Sequence, residues 1–525
     1  MADALSEAPR AAPLALAVAF CGERARALLG GWVSEVEAPA PADGAERPDR
    51  LDALVIDAAP AEATRQAARQ AIDAAKERGA RVIGVAAADE PEPVFSGSAD
   101  VVFSERLCAG ALCAPAPLDP RVINPLGFRH SDVAGLALLA GQDAALEPAL
   151  EHFQAALGAE PLVLLQAPGQ AEPPAGVLRT TPPEGEAALI AALRERLGVL
   201  DHPSLHADDA QRARALVRLC AAGVPVVCAE RSSELEALLG EELSEALAGA
   251  GWRELSDLDR RERISVSQRR AALRRHSLDA RWRALADAAQ IALPERARVS
   301  VILSTRRQEW LSFGLAQVAR QNYEPRELVV CLHGDDFSDD VEQRLAAEVE
   351  GPLEIVWVPS EQTLGDALNA GVEVASGAYV TKMDDDDYYS RDHLADLVLA
   401  LEYSRADLCG KAAEFVYLED MGLTIRRFMG DTERASERPL AGGGMMARRG
   451  PLRELGGWSS RSRGEDTALI KSFRGSGRPL HRTHGYGYIL NRHGRDHTWN
   501  TYVDYFLVQS QREWRGLRFD EAGIY

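Results

Sequence analysis

Positive charge is scarce: the 525 residues hold 59 Lys+Arg against 80 Asp+Glu, a formal net charge of −21. Such a chain repels a phosphate backbone, and no stretch interleaves Lys or Arg with aromatics, so nucleic acid is excluded as a partner. Cysteine is also sparse. The seven thiols (Cys21, Cys108, Cys113, Cys220, Cys228, Cys331 and Cys409) are odd in number and form no CxxC pair. Most sit in apolar runs, the pattern of buried free thiols in a reducing compartment. Long apolar runs are missing too. Pro13 to Phe20 is too short to cross a bilayer and reads as a first β-strand rather than a signal peptide. These features place the expected chain in the cytoplasm, without a transmembrane segment. No internal repeat appears, and the Pro/Ala-rich patch Ala38 to Pro48 reads as a surface loop.

With 46% hydrophobic and 26% charged residues the composition is globular, and the length predicts three units or two large ones. Short β-rich runs alternate with amphipathic helical ones from the start, which predicts α/β architecture with parallel sheets. The expected strands are Leu14 to Phe20, Leu51 to Asp57, Arg81 to Ala86 and Val101 to Ser104, with a helix over Ala63 to Arg78. The alternation restarts with Leu162 to Gln166, helices at Glu186 to Leu197 and Ala210 to Ala222, strand Val224 to Ala229 and helix Ser233 to Leu239. An Arg-rich helical stretch, Arg269 to Ala288, leads to a boundary near 295. The expected domains are a Rossmann-like lobe (1–146), a second lobe ending in a helical linker (147–295) and a third α/β domain (296–525).

In that last domain a buried strand, Ala378 to Met383, runs into Asp384-Asp385-Asp386-Asp387. Ligands of open α/β sheets collect beyond the carboxyl ends of strands. Four adjacent carboxylates repel one another unless a cation compensates, and Mg²⁺ or Mn²⁺ is the natural choice. Extended alternation would turn Asp384 and Asp386 to one side and Asp385 and Asp387 to the other. A solvated acidic turn is the plain alternative for such a run, set aside here because of the buried strand and the motifs on both sides of it.

Those motifs are Val299-Ser300-Val301-Ile302-Leu303-Ser304-Thr305, Leu364-Gly365-Asp366-Ala367-Leu368-Asn369-Ala370-Gly371 and Ser376-Gly377-Ala378-Tyr379-Val380. In this order, over about residues 298 to 500, the chain resembles family 2 glycosyltransferases of the GT-A fold. The resemblance implies that Ser304, Thr305, Arg306 and Asp335 meet the nucleoside. His333-Gly334-Asp335-Asp336 departs there from the family's Asp-Asp-Gly order. It also implies that Gly365, Asp366, Asn369, Asp384 and Asp385 belong to the nucleotide-sugar site, and that Asp384 and Asp386 bind metal with His493 or His497. His481, His484, His493 and His497 make up four of the chain's eleven histidines. Gly442-Gly443-Gly444-Met445-Met446 and Leu455-Gly456-Gly457-Trp458 resemble the acceptor-side segment. Arg463-Gly464-Glu465-Asp466-Thr467 resembles the Glu-Asp motif, with Asp466, next to Glu465, as the base.

The implied activity is inverting transfer of a sugar from a nucleoside-diphosphate sugar, by family habit a UDP-sugar, to a saccharide or lipid-linked saccharide of the cell envelope. A lipid-linked acceptor would be met by peripheral contact at the inner membrane face. The alternative is a non-catalytic glycan-binding scaffold with a retired site. A sugar nucleotidyltransferase ranks last, since Thr305-Arg306-Arg307-Gln308 lacks the glycines of a phosphate loop. Upstream, Ser204 to Glu230 and His276 to Arg283 resemble the nucleotide-side lobe of GT-B glycosyltransferases of the spore-maturation-protein branch. Glu230 and Glu234 are the candidates there for the ribose-binding glutamate. That half is expected to be GT-B-like, either degenerate and structural, or active.

Overall fold

The computed structural model describes residues 14–21, 33–36, 53–57, 62–77, 79–86, 99–104, 112–126, 133–140, 144–153, 161–165, 177–429, 433–435, 440–493 and 502–524. The expected loop 38–48 and His497 lie outside them. Two compact units emerge, one of residues 1–125 with 132–294, the other of 126–131 with 295–525.

The first unit holds two parallel sheets. One runs in the order Val33–Val36, Leu14–Cys21, Ala53–Asp57, Arg81–Ala86, Val101–Ser104, Leu112–Cys113. The other is ordered Val226–Cys228, Gly198–Asp201, Leu136–Leu139, Leu162–Leu165, Val177–Thr180. The Arg-rich stretch forms two helices, Leu258–His276 and Leu278–Ala288, broken at Ser277, whose side chain caps the second. Trp282, Leu285 and Ala289 pack with Val55, Ile83 and Phe103 of the first sheet.

The second unit is built on Leu353–Val358, Arg326–His333, Val299–Thr305 and Tyr379–Lys382, adjacent in that order and parallel. Beyond Tyr379–Lys382 the sheet continues through antiparallel Met445–Arg448 to Leu408–Gly410. Val299–Thr305 is β-branched, apolar and almost wholly buried, as a strand covered on both faces must be. Its alternating side chains enter two cores. Val299, Val301 and Leu303 meet Leu311, Leu315 and Val318 of helix Gln308–Ala319, and Ile302 meets Ala367, Leu368 and Val372 of helix Leu364–Val374. The latter helix begins with a capping box: Thr363 Oγ1 accepts from Asp366 N–H while Asp366 Oδ2 accepts from Thr363 N–H. Such a cap contributes about 1 kcal/mol.

Successive strands spread to one side of Val299–Thr305 before Tyr379–Lys382 arrives on the other. The connections diverge at the carboxyl ends of these two strands and leave a crevice. Thr305-Arg306-Arg307 and the aspartate run lie at its two lips.

Candidate active site

The aspartate run is not extended. The strand ends at Lys382, Asp385 and Asp386 form a turn, and a short strand resumes at Tyr388–Tyr389. The expected two-sided alternation therefore fails, because alternation requires extended backbone. Asp385 and Asp386 instead share one partner, Arg307, whose Nη2 bonds both carboxylates, Asp386 Oδ2 at 2.9 Å. Asp386 Oδ2 also lies 3.0 Å from His493 Nε2, and the His493 ring stacks on Trp310 with centroids 5.0 Å apart. Asp387 turns inward, accepting from Tyr488 O–H at 2.7 Å and Asn491 N–H at 2.8 Å.

Asp384 faces a different cation. Lys382 Nζ is 3.3 Å from Asp384 Oδ1, 3.0 Å from Asp466 Oδ2 and 3.9 Å from Glu465 Oε1. One buried ammonium thus joins the aspartate run to the Glu465-Asp466 pair at the start of helix Glu465–Gly475. Trp458 Nε1–H donates to Asp466 Oδ1 at 3.0 Å. Glu465 is buried, with Oε2 making no hydrogen bond, whereas the Asp466 side chain keeps 20% of its surface open. Gly442 stands against it, since a Cβ there would lie 1.9 Å from Asp466 Oδ2. At this wall the small residues make room for the protein's own carboxylate.

Burial acts first on these acids. It drives the Asp384 carboxyl up to about 6, the charges of Asp466, Asp386 and Asp385 adding to it and Lys382 opposing. Burial likewise raises Asp385, against the pull of Arg307, and Asp387, with Asp386 and Asp384 adding. Burial should depress the Lys382 ammonium, yet Asp384, Asp466 and Glu465 together raise it. The site is short of positive charge, which is the electrostatic condition for holding a divalent cation. Around the aspartate run no three carboxylate or imidazole ligand atoms lie within 4.8 Å of one another; among the described residues only His152, His202 and Glu230 achieve that. Asp386 and His493 are instead a contacting pair with Arg307 beside both, its Nη2 2.9 Å from Asp386 Oδ2 and its Nη1 3.4 Å from His493 Nε2.

The other expected residues divide by what they touch. Ser304 Oγ is buried without a hydrogen bond. Thr305 Oγ1 donates to Asp385 and accepts from Arg307 N–H, so it shapes the aspartate lip. Arg306 reaches His333 and the carbonyls of Ser360 and Gln362. Asp335 is exposed beyond the second strand and accepts from Ser360 O–H at 3.3 Å. Asp366 Oδ2 is engaged by Thr363 and by Ser460 O–H at 2.9 Å. Asn369 grips the backbone of Trp458, donating to its carbonyl and accepting from its N–H. A Cβ on Gly365 would lie 1.9 Å from Ser459 O, so its bareness admits the same loop. Gly365, Asp366 and Asn369 therefore secure the segment carrying Trp458, the partner of Asp466. Reasoning from sequence missed Arg307 and Lys382 as site members. Their only signal was position, at the ends of the two strands that bound the crevice.

A carboxylate-rich turn and an acid pair with one open member, Asp466, thus meet at the switch crevice of an α/β sheet. Residues 300–453 match the family model for glycosyl transferase family 2. The second unit carries a family 2 glycosyltransferase domain of GT-A type, and the first contributes Rossmann-like parallel sheets. No curated protein matches the chain. Among solved structures it is similar to TarS 1–349 of S. aureus in complex with UDP-GlcNAc, at 16% identity over 40% of this chain and 64% of that one, TM-score 0.32. The mannosyltransferase PcManGT of Pyrobaculum calidifontis, in complex with GDP-Man and Mn²⁺, is 17% identical over 38% of this chain and 58% of that one, TM-score 0.31. GalNAc-T7 with UDP, GalNAc and Mn²⁺ is 14% identical over 37% and 44%, TM-score 0.31. The chain thus spans less than two thirds of each of these structures. The nucleotides, sugars and Mn²⁺ named are those proteins' own. Among the described residues, no helix is long and apolar enough to cross a membrane.

Proposed function

We propose that residues 296–525 form the GT-A domain of an inverting, metal-dependent glycosyltransferase, using a nucleoside-diphosphate sugar, by preference a UDP-sugar, and a saccharide acceptor of the cell envelope. Two Rossmann-like lobes are proposed within residues 1–295, with the boundary ahead of Leu136 rather than at 146, because Leu136–Leu139 is the central strand of the second sheet. The observation that carries the reading is the pairing, through Lys382, of the aspartate turn with an open carboxylate, Asp466. Ser304, Arg306 and Asp335 are proposed to meet the nucleoside at the carboxyl ends of Val299–Thr305 and Arg326–His333. Asp386 and His493 would hold Mn²⁺ or Mg²⁺, the remaining positions being filled by donor diphosphate oxygens and water, as is usual for such ions at phosphate sites. The bound ion would supply Lewis-acid stabilisation of the leaving diphosphate.

Asp466 accepts the proton of the acceptor hydroxyl. The acceptor oxygen bonds to the anomeric carbon as the bond from that carbon to the diphosphate oxygen breaks, and the bonding electrons leave with the nucleoside diphosphate. Attack opposite the leaving group inverts the centre. Trp458 and Lys382 hold Asp466 in place.

Calorimetric titration of nucleoside diphosphates, with and without Mn²⁺, tests the reading. Metal-dependent binding of one nucleotide, lost in Asp386→Ala, is expected; no binding under any condition would favour the scaffold.

The same titration has a defined pH dependence. The Asp384 carboxyl, ordinarily near 3.8, sits at about 6 in the folded protein. The folded state therefore binds a proton that the unfolded state releases, and stability without metal falls as pH rises from about 4 through 6. A dication held by Asp386 and His493 would add positive charge beside Asp384 and favour its ionised form, reversing the preference. Metal-dependent nucleotide affinity should rise up to about tenfold per pH unit below pH 6 and level off above it. A flat profile from pH 5 to 7.5 would remove Asp384 from the metal-coupled set.

A further inference from the structure

The first unit contains a second crevice of the same topological kind. In its five-stranded sheet, Leu136–Leu139 is followed by Leu162–Leu165 on one side, whereas Gly198–Asp201 joins on the other. The switch point thus falls between Leu136–Leu139 and Gly198–Asp201, and ligands of open α/β sheets gather beyond the carboxyl ends of such strands. Three segments converge there. His152 ends the helix Leu146–His152 that follows the first of these strands, His202 follows the second directly, and Glu230 lies two residues beyond Val226–Cys228.

One ligand atom from each of His152, His202 and Glu230 lies within 4.8 Å of the other two. His202 is buried while His152 and Glu230 are exposed, so one ligand is fixed and two can adjust. We infer that His152, His202 and Glu230 form a binding site for a divalent transition-metal ion of the zinc type, separate from the carboxylate site of the second unit.

Two imidazoles and one carboxylate are a borderline-to-hard donor set that suits Zn²⁺ or Co²⁺ better than Mg²⁺ or Ca²⁺, and three protein ligands leave a position for water or an anionic ligand. Ligand atoms of a tetrahedral site with bonds of about 2.0–2.2 Å are roughly 3.4 Å apart, a contraction within reach of two exposed side chains. Nδ1 of His202 lies 2.9 Å from Ser204 Oγ. Nδ1 also accepts from Ser204 N–H at 3.2 Å, so metal binding through Nε2 requires the ring proton to move to Nδ1, where Ser204 Oγ can accept it, the usual outer contact of a metal-bound histidine. The backbone is already braced. Ala229 N–H donates to Asp201 O at 2.8 Å, and Ala145 N–H to Ser204 O at 2.9 Å. Beneath the site Asp201 is locked by Arg212 at 2.7 Å and His206 at 2.7 Å. The loops presenting all three ligands are thus tied to one another without the metal.

The test uses the full chain, stripped of metal and titrated with Co²⁺ under visible absorption. One equivalent should bind with ligand-field bands of low coordination number and be displaced by Zn²⁺. The bands should persist in Asp386→Ala, which reports on the other site, and affinity should fall at least about tenfold in His152→Ala and in Glu230→Gln. Both substitutions are at exposed positions, so folding is preserved, as circular dichroism would verify. Wild-type affinity in these two variants, loss of the bands in Asp386→Ala alone, or no stoichiometric Co²⁺ binding would overturn the inference.

Discussion

Asp466→Asn should lower the rate of sugar transfer by about 10²- to 10⁴-fold, the range expected when a general base is removed. Transfer is measured from the donor identified by titration, to a saccharide or to water. Asparagine keeps the shape and still accepts from Trp458 Nε1–H, so metal-dependent nucleotide binding should stay within about twofold, and the loss should fall on kcat. Glu465→Gln separates the two acids of the motif. Glu465 is buried and turned from solvent, so its loss should cost less than about tenfold in rate. If Glu465→Gln were the more damaging change, the assignment of the base would be reversed.

The second large effect concerns folding. Lys382→Met removes the buried cation shared by Asp384, Asp466 and Glu465 and leaves three carboxylates facing one another, Glu465 buried and the other two partly open to water. Removing one partner of a buried ion pair costs about 3–5 kcal/mol, which for a unit of this size is a fall in Tm of roughly 6–20 °C. Two features distinguish this from simple loss of packing. Mn²⁺ should restore part of the stability, and the deficit should shrink below pH 6, where protonation of Asp384 relieves the repulsion. Lys382→Arg keeps the charge and should recover most of the Tm. A deficit that changes with neither metal nor pH would show that the Lys382 side chain acts only by filling space.

Much of the architecture was legible in local pattern. The runs Val299 to Ser304 and Ser233 to Leu239 carry their periodicity openly, and their structural bounds differ from the expected ones by a residue at most. Strands Leu136–Leu139, Val177–Thr180 and Gly198–Asp201 were not recognised. They are four residues each and fit an apolar loop as well as a strand until a neighbour pairs with them. The second helix after Ser277 was hidden because its cap interrupts a continuous Arg-rich pattern.

At the site, residue type singled out the crevice at the ends of Val299–Thr305 and Tyr379–Lys382, but partner identity could not be read. Nothing in the order Thr-Arg-Arg shows that Arg306 turns toward His333 while Arg307 crosses to Asp385 and Asp386, since that depends on where the fourth strand docks. Nor does the motif around Asn369 disclose that its amide is consumed by Trp458. The turn at Asp385-Asp386 was the largest departure. A four-residue acidic run contains no glycine or proline to announce a bend, and the bend is closed by a tertiary contact, Asp384 N–H donating to the Tyr389 hydroxyl oxygen at 2.8 Å from five residues upstream.

Asp387 binds Asn491 N–H, two residues ahead of His493, and so ties the acidic turn to the strand that bears the histidine. The gap between Asp386 and His493 is therefore a property of the scaffold, set before any ion arrives. If Asp386 and His493 hold an ion as proposed, their fixed spacing would select it by radius as well as by affinity. Substitutions at Asp387, though it touches no ligand, should change which cation supports the reaction before they change how fast it runs.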